Sequence, residues 1–380
     1  MSLKEFLETK ELYYKDIDYD FFPSVWKNIS CKFSYPKVIH LVGTNGKGST
    51  GRFLSSYLYK AGYKVGHYSS PHILRFNERI WINGSDAGEQ TLEKAHQKLS
   101  KKLDKELLKK LSYFEYTTLL AIEVFQNCDY IVMEAGLGGE YDATSVFDKL
   151  FSLVTPIGLD HQSFLGESLK DIASTKLRSV TTYAIMAKQK DEVYEVAKSL
   201  GIKYFDSRSF FTQNELQKME EFIKKNSFAS YLFENLILAM SAVKSLDIEY
   251  DMKFLEGVKL KGRFQKIAKN IILDVGHNLQ AAQAIKNELK DKKITLIYNT
   301  YKDKDFQKIL SVLKENIKKV LIIDVKGDRV ADKESLQKAL KLLKIPYEEF
   351  SKDKMSDDEE YLVFGSFSVA ETFLKSLDLV

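Results

Sequence analysis

Residues 39–50 read IHLVGTNGKGST and gather three glycines, one lysine and three hydroxyl residues behind an apolar run. This is the set that an anionic triphosphate requires. Glycines let the backbone approach without a Cβ, loop N–H groups point at oxygen, and a lysine neutralises the outer phosphates. In the common version, G-x-x-x-x-G-K-[ST], the hydroxyl directly follows the lysine. Here Gly43 and Gly46 are separated by only two residues and Gly48 sits between Lys47 and Ser49. The reading is a phosphate loop in another spelling, with Thr44, Asn45, Gly46 and Gly48 around the phosphates. Lys47 supplies the charge, and Ser49 and Thr50 open the following helix. A glycine-rich turn with a surface lysine is the plainer alternative.

A nucleotide site also needs metal ligands at the tips of neighbouring strands. DYIVMEAGLGGEYDAT ends an apolar run at Glu134, and LVTPIGLDHQSFLGES places Asp160 and His161 beyond the next one. A carboxylate and an imidazole there can converge on the loop. His161 alone would be an ordinary polar residue, and Glu134 alone a helix cap. Together with the loop they form a candidate metal site.

The elements that must position these residues follow from patterning. KVIHLVG, YKVGHYSS, DYIVMEAG and FSLVTPIG read as strands, with STGRFLSSYLYKAG and YFEYTTLLAIEVFQNC as helices between them. Strands alternating with helices imply a mostly parallel sheet covered on both faces. From NIILDVG onward the alternation repeats. Helices NLQAAQAIKNELKD, DFQKILSVLKENIK and DKESLQKALKLL separate strands ITLIYNT, KVLIIDV and YLVFGS, and a last helix follows. The fold class is therefore α/β, with a P-loop-type parallel-sheet ATPase domain over residues 1–262. A smaller Rossmann-like domain follows over 263–380.

Composition narrows the function class. The chain has 380 residues, 44% hydrophobic and 29% charged, with 57 basic against 53 acidic side chains. The lysines are spread over helical segments, so no nucleic-acid footprint is expected. Cys31 and Cys128 allow neither a disulfide framework nor a multi-cysteine metal site. With no apolar leader and no long apolar run, a soluble cytoplasmic protein that neither spans nor binds a membrane is expected.

GTNGKGS, SSPHILRFNERIWING, YFEYTTLLA, EAGLGGEYDAT, TPIGLDHQSFLG and ILDVGHN occur in this order, with VFGSFSVA as a weaker echo. In these motifs the chain resembles the folylpolyglutamate synthase and dihydrofolate synthase family, a branch of the Mur ligases. The resemblance implies ATP-dependent amide formation. A pteroate or folate carboxylate takes the γ-phosphate of ATP, and the amino group of L-glutamate displaces phosphate from the acyl phosphate. ATP, L-glutamate and dihydropteroate or a reduced folate would be the partners of a monomer.

The resemblance also implies roles. Lys47 and Ser49 would lie at the phosphates. Ser70 and Glu134 would hold one Mg2+, and Glu134 with His161 a second. Lys176, in DIASTKLRSV, occupies the position of a lysine that the family carries as a carbamate, with a solvated helical lysine as the alternative. Asn235 matches an adenine contact, Arg263 a phosphate contact and Asp274 a nucleotide contact, although an Asp at a strand end can equally cap a helix. His277 and Ser366 fall on the glutamate side. Phe114, Glu115 and Asp142 fall on the pterin side, where aromatic residues are also ordinary core. The nucleotide site would be complete only when the two domains approach one another.

Departures from the family pattern are confined. Glu140 stands where the family usually has arginine and Ser145 where it has asparagine. STKLRSV and DVGHN are also altered. These bear on substrate preference more than on ATP chemistry. Dihydrofolate synthesis, folylpolyglutamate extension or both stay open. A Mur-type ligase acting on a cell-wall precursor and a non-catalytic nucleotide-binding protein are the competing classes.

Overall fold

The computed structural model describes residues 1–11 and 18–377. Eight strands form the first sheet: β1 (Lys37–Val42), β2 (Val65–Tyr68), β3 (Ile80–Ile82), β4 (Ser85–Asp86), β5 (Tyr130–Glu134), β6 (Lys149–Val154), β7 (Ala184–Met186) and β8 (Tyr204–Asp206). Their order is β4-β3-β2-β5-β1-β6-β7-β8. The run from β2 to β8 is parallel, and β3 turns back antiparallel beside β2. β1 sits centrally because it is apolar on both faces. Val38, Ile39, Leu41 and Val42 are all fully buried, as a strand covered by helices on each side must be.

The two expected helices of this sheet form. Tyr113–Phe125 opens on a capping box in which the Ser112 hydroxyl accepts from Glu115 N–H and the Glu115 carboxylate accepts from Ser112 N–H. Its Leu119, Leu120, Ile122 and Phe125 join the core with Ile131 and Met133 of β5. Each such fully buried side chain stabilises the fold by about 1.5–3 kcal/mol. The other helix spans Lys47–Lys60, so it begins two residues before the expected Ser49. Gly46, at φ 95°, is its N-cap, and Gly48 lies within the first turn. The loop is thus shorter than the glycine spacing implies.

Six strands form the second sheet: β9 (Gln265–Ala268), β10 (Ile271–Leu273), β11 (Ile294–Tyr298), β12 (Ile317–Ile322), β13 (Tyr347–Glu349) and β14 (Tyr361–Phe364). Their order is β13-β12-β11-β14-β10-β9, parallel except for the edge strand β9. One expected helix is shorter than its pattern. DFQKILSVLKENIK is α-helical only over Phe306–Leu313 and tightens to a 3-10 turn over Lys314–Asn316, because Ile317 already begins β12 and buries itself in the sheet core.

By contacts the chain divides into two compact units. The first comprises Met1–Met219 and Glu234–Val258, the second Glu220–Phe233 and Lys259–Val380. Segment 220–233 is held in the second unit by Ser230, whose N–H donates to Glu288 at 2.6 Å, and by Tyr231, whose hydroxyl donates to Asp274. No helix among the described residues is long and apolar enough to cross a membrane.

Candidate active site

The loop after β1 is held from outside. Thr44 and Asn45 N–H both reach Pro156 O, at 3.1 and 3.4 Å. The Thr44 hydroxyl donates to Gly158 O and accepts from Gly158 N–H, each at 3.0 Å. Gln189 braces the segment beyond β6, accepting from Ile157 N–H and donating to Thr155 O. Two glycines are obligatory here. A Cβ on Gly43 (φ 144°) would sit 2.7 Å from Thr155 O, and one on Gly46 would sit 2.4 Å from Asn235 Oδ1. The expected adenine contact, Asn235, therefore lies directly against the loop.

Lys47, first residue of the helix, folds back so that Nζ donates to Gly43 O at 3.2 Å and Thr44 O at 3.4 Å. It also stands 3.9 Å from Glu134 Oε1. Glu134 is the last residue of β5, the strand beside β1, and is almost fully buried. Its other oxygen accepts from Ser70 N–H at 3.4 Å. Ser49 is buried under the loop. Three separate motifs thus meet at the strand tips: the loop lysine, Ser70 and Glu134. Ser70 and Glu134 offer the hard oxygen donors that suit Mg2+, so the residues present fit that ion.

His161 stands past β6, left-handed at φ 52°, at the head of the short helix Gln162–Leu165. Its N–H donates to Asp160 Oδ1 at 2.9 Å. Lys176 belongs to helix Leu169–Leu177 and is buried, which disagrees with the alternative of a solvated helical lysine. Burial pushes its ammonium down to about 7, the nearby Lys47 charge adds to the effect, and Asp160 and Asp142 oppose it. A lysine that is half neutral near pH 7 is a nucleophile toward CO2, which ordinary surface lysines are not.

The pterin-side candidates also converge, with unequal roles. A Cβ on Gly136 would meet the Phe114 ring at 2.6 Å. Gly136 N–H and Leu137 N–H both donate to Asp142 Oδ2 at 2.9 Å, and Thr144 donates to Oδ1 through N–H at 3.0 Å and hydroxyl at 2.6 Å. Asp142 is the organising centre of its own loop. Burial pushes its carboxyl up, and these hydrogen bonds pull the other way. The Glu115 carboxylate accepts from Ser112 N–H in its own helix cap, and burial pushes its pKa up. Glu140 carries a charge opposite to the family's usual arginine, yet it is paired. Arg178 Nη1 donates to Glu140 Oε2 at 3.1 Å, and Glu140 N–H donates to Thr175 O at 2.8 Å. Ser145 donates to Glu140 O.

In the second unit, Asp274 follows β10 and is not a helix cap. Oδ2 accepts from Tyr231 O–H at 2.6 Å and Phe264 N–H at 2.8 Å, and Oδ1 accepts from Gly276 N–H at 2.8 Å. The helix cap is Asn278, which accepts from Ala281 N–H. Burial raises the Tyr231 hydroxyl pKa well above its ordinary value, and the Asp274 charge adds to the rise. Arg263, beside Phe264, lies over the Phe367 ring with its guanidinium carbon 5.6 Å from the centroid. Gly365 N–H donates to Gly276 O at 3.1 Å, which brings the ends of β10 and β14 together. His277 and Ser366 flank this junction. His277 stands 6.5 Å, ring to ring, from Tyr301, while the Ser366 hydroxyl caps the last helix by accepting from Val369 N–H.

Sequence reasoning missed several of these supports. Thr144 and Gly158 lie within quoted motifs, so their neighbourhood was marked although their bonds were not. Gln189 and Tyr231 carry no local signal, because each acts through a contact distant in sequence.

Comparison with known proteins places the chain among ligases. Residues 262–363 match the family model "Mur ligase, glutamate ligase domain". A dihydrofolate synthase/folylpolyglutamate synthase of Buchnera aphidicola subsp. Schizaphis graminum is 31% identical over 369 residues, covering 88% of this chain and 87% of that protein. The crystal structure of Helicobacter pylori folylpolyglutamate synthetase is 40% identical with a TM-score of 0.79, over 100% of this chain and 98% of the other. E. coli FolC in complex with DHPP and ADP is 25% identical with a TM-score of 0.81, over the same shares. Ordered motifs, strand-tip geometry and identity along nearly the whole length lead to one assignment: the chain belongs to the dihydrofolate synthase/folylpolyglutamate synthase family of ATP-dependent ligases.

Proposed function

We propose that this chain joins L-glutamate to the carboxylate of a pteroate or folate, at the expense of ATP, with release of ADP and phosphate. The observation that carries the reading is the meeting of Lys47, Ser70 and Glu134 at the tips of adjacent strands, beneath a glycine loop with no room for a Cβ. A carboxylate is a poor acyl donor, and phosphorylation turns its oxygen into a leaving group. Two anions must approach for that to happen, so fixed cations and backbone N–H groups do most of the work. Lys47 neutralises the outer phosphates, and the loop orients them. Asn235, against Gly46, contacts the adenine.

Ser70 and Glu134 would hold one divalent ion and Glu134 with His161 a second, and such ions would supply further charge neutralisation. Lys176, neutral in part near pH 7, would add its amine nitrogen to the carbon of CO2 and release a proton, leaving a carbamate that offers an anionic oxygen donor. Asp142 and Phe114 receive the pterin, with Glu115 on the same side. In the second unit, Arg263 and Asp274 serve the nucleotide, and His277 and Ser366 serve glutamate.

The test is ADP release with dihydropteroate and tetrahydrofolate run in parallel, each with Mg2+ and glutamate. Release with either substrate is expected, and the pair separates dihydrofolate synthesis from chain extension. Folded, ATP-binding protein that releases no ADP with either would overturn the assignment.

A further inference from the structure

His40 lies in the middle of β1, between Ile39 and Leu41, and is fully buried in a strand that otherwise contributes only apolar side chains to the core. Its Nε2 is 2.9 Å from Thr144 Oγ1, and that hydroxyl donates to Asp142 Oδ1 at 2.6 Å. The order of donors follows from chemistry. The Asp142 carboxylate accepts, so the Thr144 proton points at it and the Thr144 lone pair faces His40. Only an imidazole protonated at Nε2 satisfies that lone pair. Nδ1 has no hydrogen-bond partner, as expected of a neutral ring. Burial holds the imidazole well below its ordinary pKa, and the Lys149 and Lys47 charges add to this. A polar side chain is costly in such a position, and a leucine would fill it more cheaply. The single bond it makes leads to Asp142, whose other oxygen gathers Gly136 and Leu137 N–H.

We propose that His40 is a positioning residue for the pterin side of the site. Through Thr144 it holds the Asp142 carboxylate, and with it the turn from Gly136 to Asp142, in register with the strand that ends in the phosphate loop. This rests on the reading of Asp142 as a pterin-side residue. The relay runs from β1, which feeds the loop for ATP, to the loop that receives the other substrate. His40 touches neither substrate and acts only through Thr144.

Steady-state kinetics on the full chain test it, with ATP and dihydropteroate varied in turn. Thr144→Val, nearly isosteric, removes both links and His40→Phe removes one. Thr144→Ser and His40→Gln return a hydroxyl and a side-chain N–H at similar reach. Losing a hydrogen bond to a charged group predicts that Thr144→Val raises KM for dihydropteroate about tenfold or more. His40→Phe has a smaller effect in the same direction, and KM for ATP moves less than about twofold. The Ser and Gln variants restore most of the loss. Asp142→Asn is the reference arm. If it raises KM for dihydropteroate while Thr144→Val and His40→Phe do not, the relay is wrong. Equal rises for both substrates, or failure of the Ser and Gln variants to restore, would also overturn it, since a merely structural role gives that pattern. If Asp142→Asn leaves this KM unchanged, the pterin-side reading falls first and the ligase assignment stands. Should His40→Phe not fold, the Thr144 pair carries the test alone.

Discussion

The phosphate loop at 43–46 and the loop at 136–144 follow neighbouring strands, β1 and β5, and both are rich in glycine, yet they are organised in opposite ways. The first is held from outside, by Pro156 and Gly158 of the next strand's exit and by Asn235 pressed against Gly46. The second is held from inside, by the Asp142 carboxylate gathering Gly136, Leu137 and Thr144. Electrostatics accounts for the difference. On the proposed reading, a loop that takes a polyanion cannot be organised by its own carboxylate, whereas a loop that takes a flat ring bearing N–H donors can.

Four measurements would break or sharpen this contrast. Lys47→Ala removes the one charge that the outside-held loop presents to phosphate. It should lower turnover by roughly 10²–10³, the loss typical of a transition-state charge contact, in an ADP-release assay. Asp142→Ala should instead disorganise the inside-held loop. A stability loss of about 2–3 kcal/mol in denaturant unfolding is expected, with nucleotide affinity preserved. A fall in nucleotide affinity there would show that the loops are not independently organised.

Lys176 lies against the second loop, where a Cβ on Gly139 would stand 2.7 Å from Lys176 O, and it feels the Lys47 charge of the first. With its pKa near 7, the neutral amine that CO2 requires should be ~tenfold scarcer at pH 6 than at pH 8. A carbamate carbon signal from labelled bicarbonate should weaken with it. The sign for stability follows from the depressed pKa. Lys176 costs most below pH 7, and the cost fades as pH rises from 7 toward the ordinary 10.5. A carbamate signal that did not fall on acidification would remove Lys176 from the site. Last, Glu140→Arg breaks the pair with Arg178, whose partly exposed side chains make it worth about 1 kcal/mol or less. A shift of only roughly two- to threefold in KM for dihydropteroate is expected. A large one would mean that the Arg178 pair contributes as much to the second loop as the Asp142 carboxylate does.

Much of this was legible in the sequence because it rests on local signals. The strand IHLVG, the glycines after it and the acid at the end of DYIVME carry their positions in their spacing, and β1, β5 and Glu134 stand where the pattern puts them. The alternation of strand and helix likewise gave both parallel sheets. What was not legible depends on contacts distant in sequence. The burial of Lys176 comes from packing around helix Leu169–Leu177 and has no mark in STKLRSV. Glu140 reverses the family's charge, and its partner Arg178, 3.1 Å away, lies 38 residues on in sequence. The short strands β3, β4, β7, β8, β9 and β13 are only two to four residues long, too brief for a period of two to register. The helix starting at Lys47 overrode the glycine signal at 48, because tertiary packing against β1 and β5 outweighs the propensity of one residue.

The division of the chain has a consequence for biosynthesis. The first unit is not contiguous: residues 234–258, Asn235 among them, are made after a stretch of the second. On the ribosome the first unit cannot complete the wall behind Gly46 until Val258 has emerged, while residues 220–233 wait for residues 259–380. A gene cut at residue 219 would yield a fragment lacking Asn235, and one cut at 258 would leave Tyr231 and its neighbours stranded from Asp274. Fragments of this protein should therefore be sought by circular permutation or linker replacement of residues 220–233, and not by truncation.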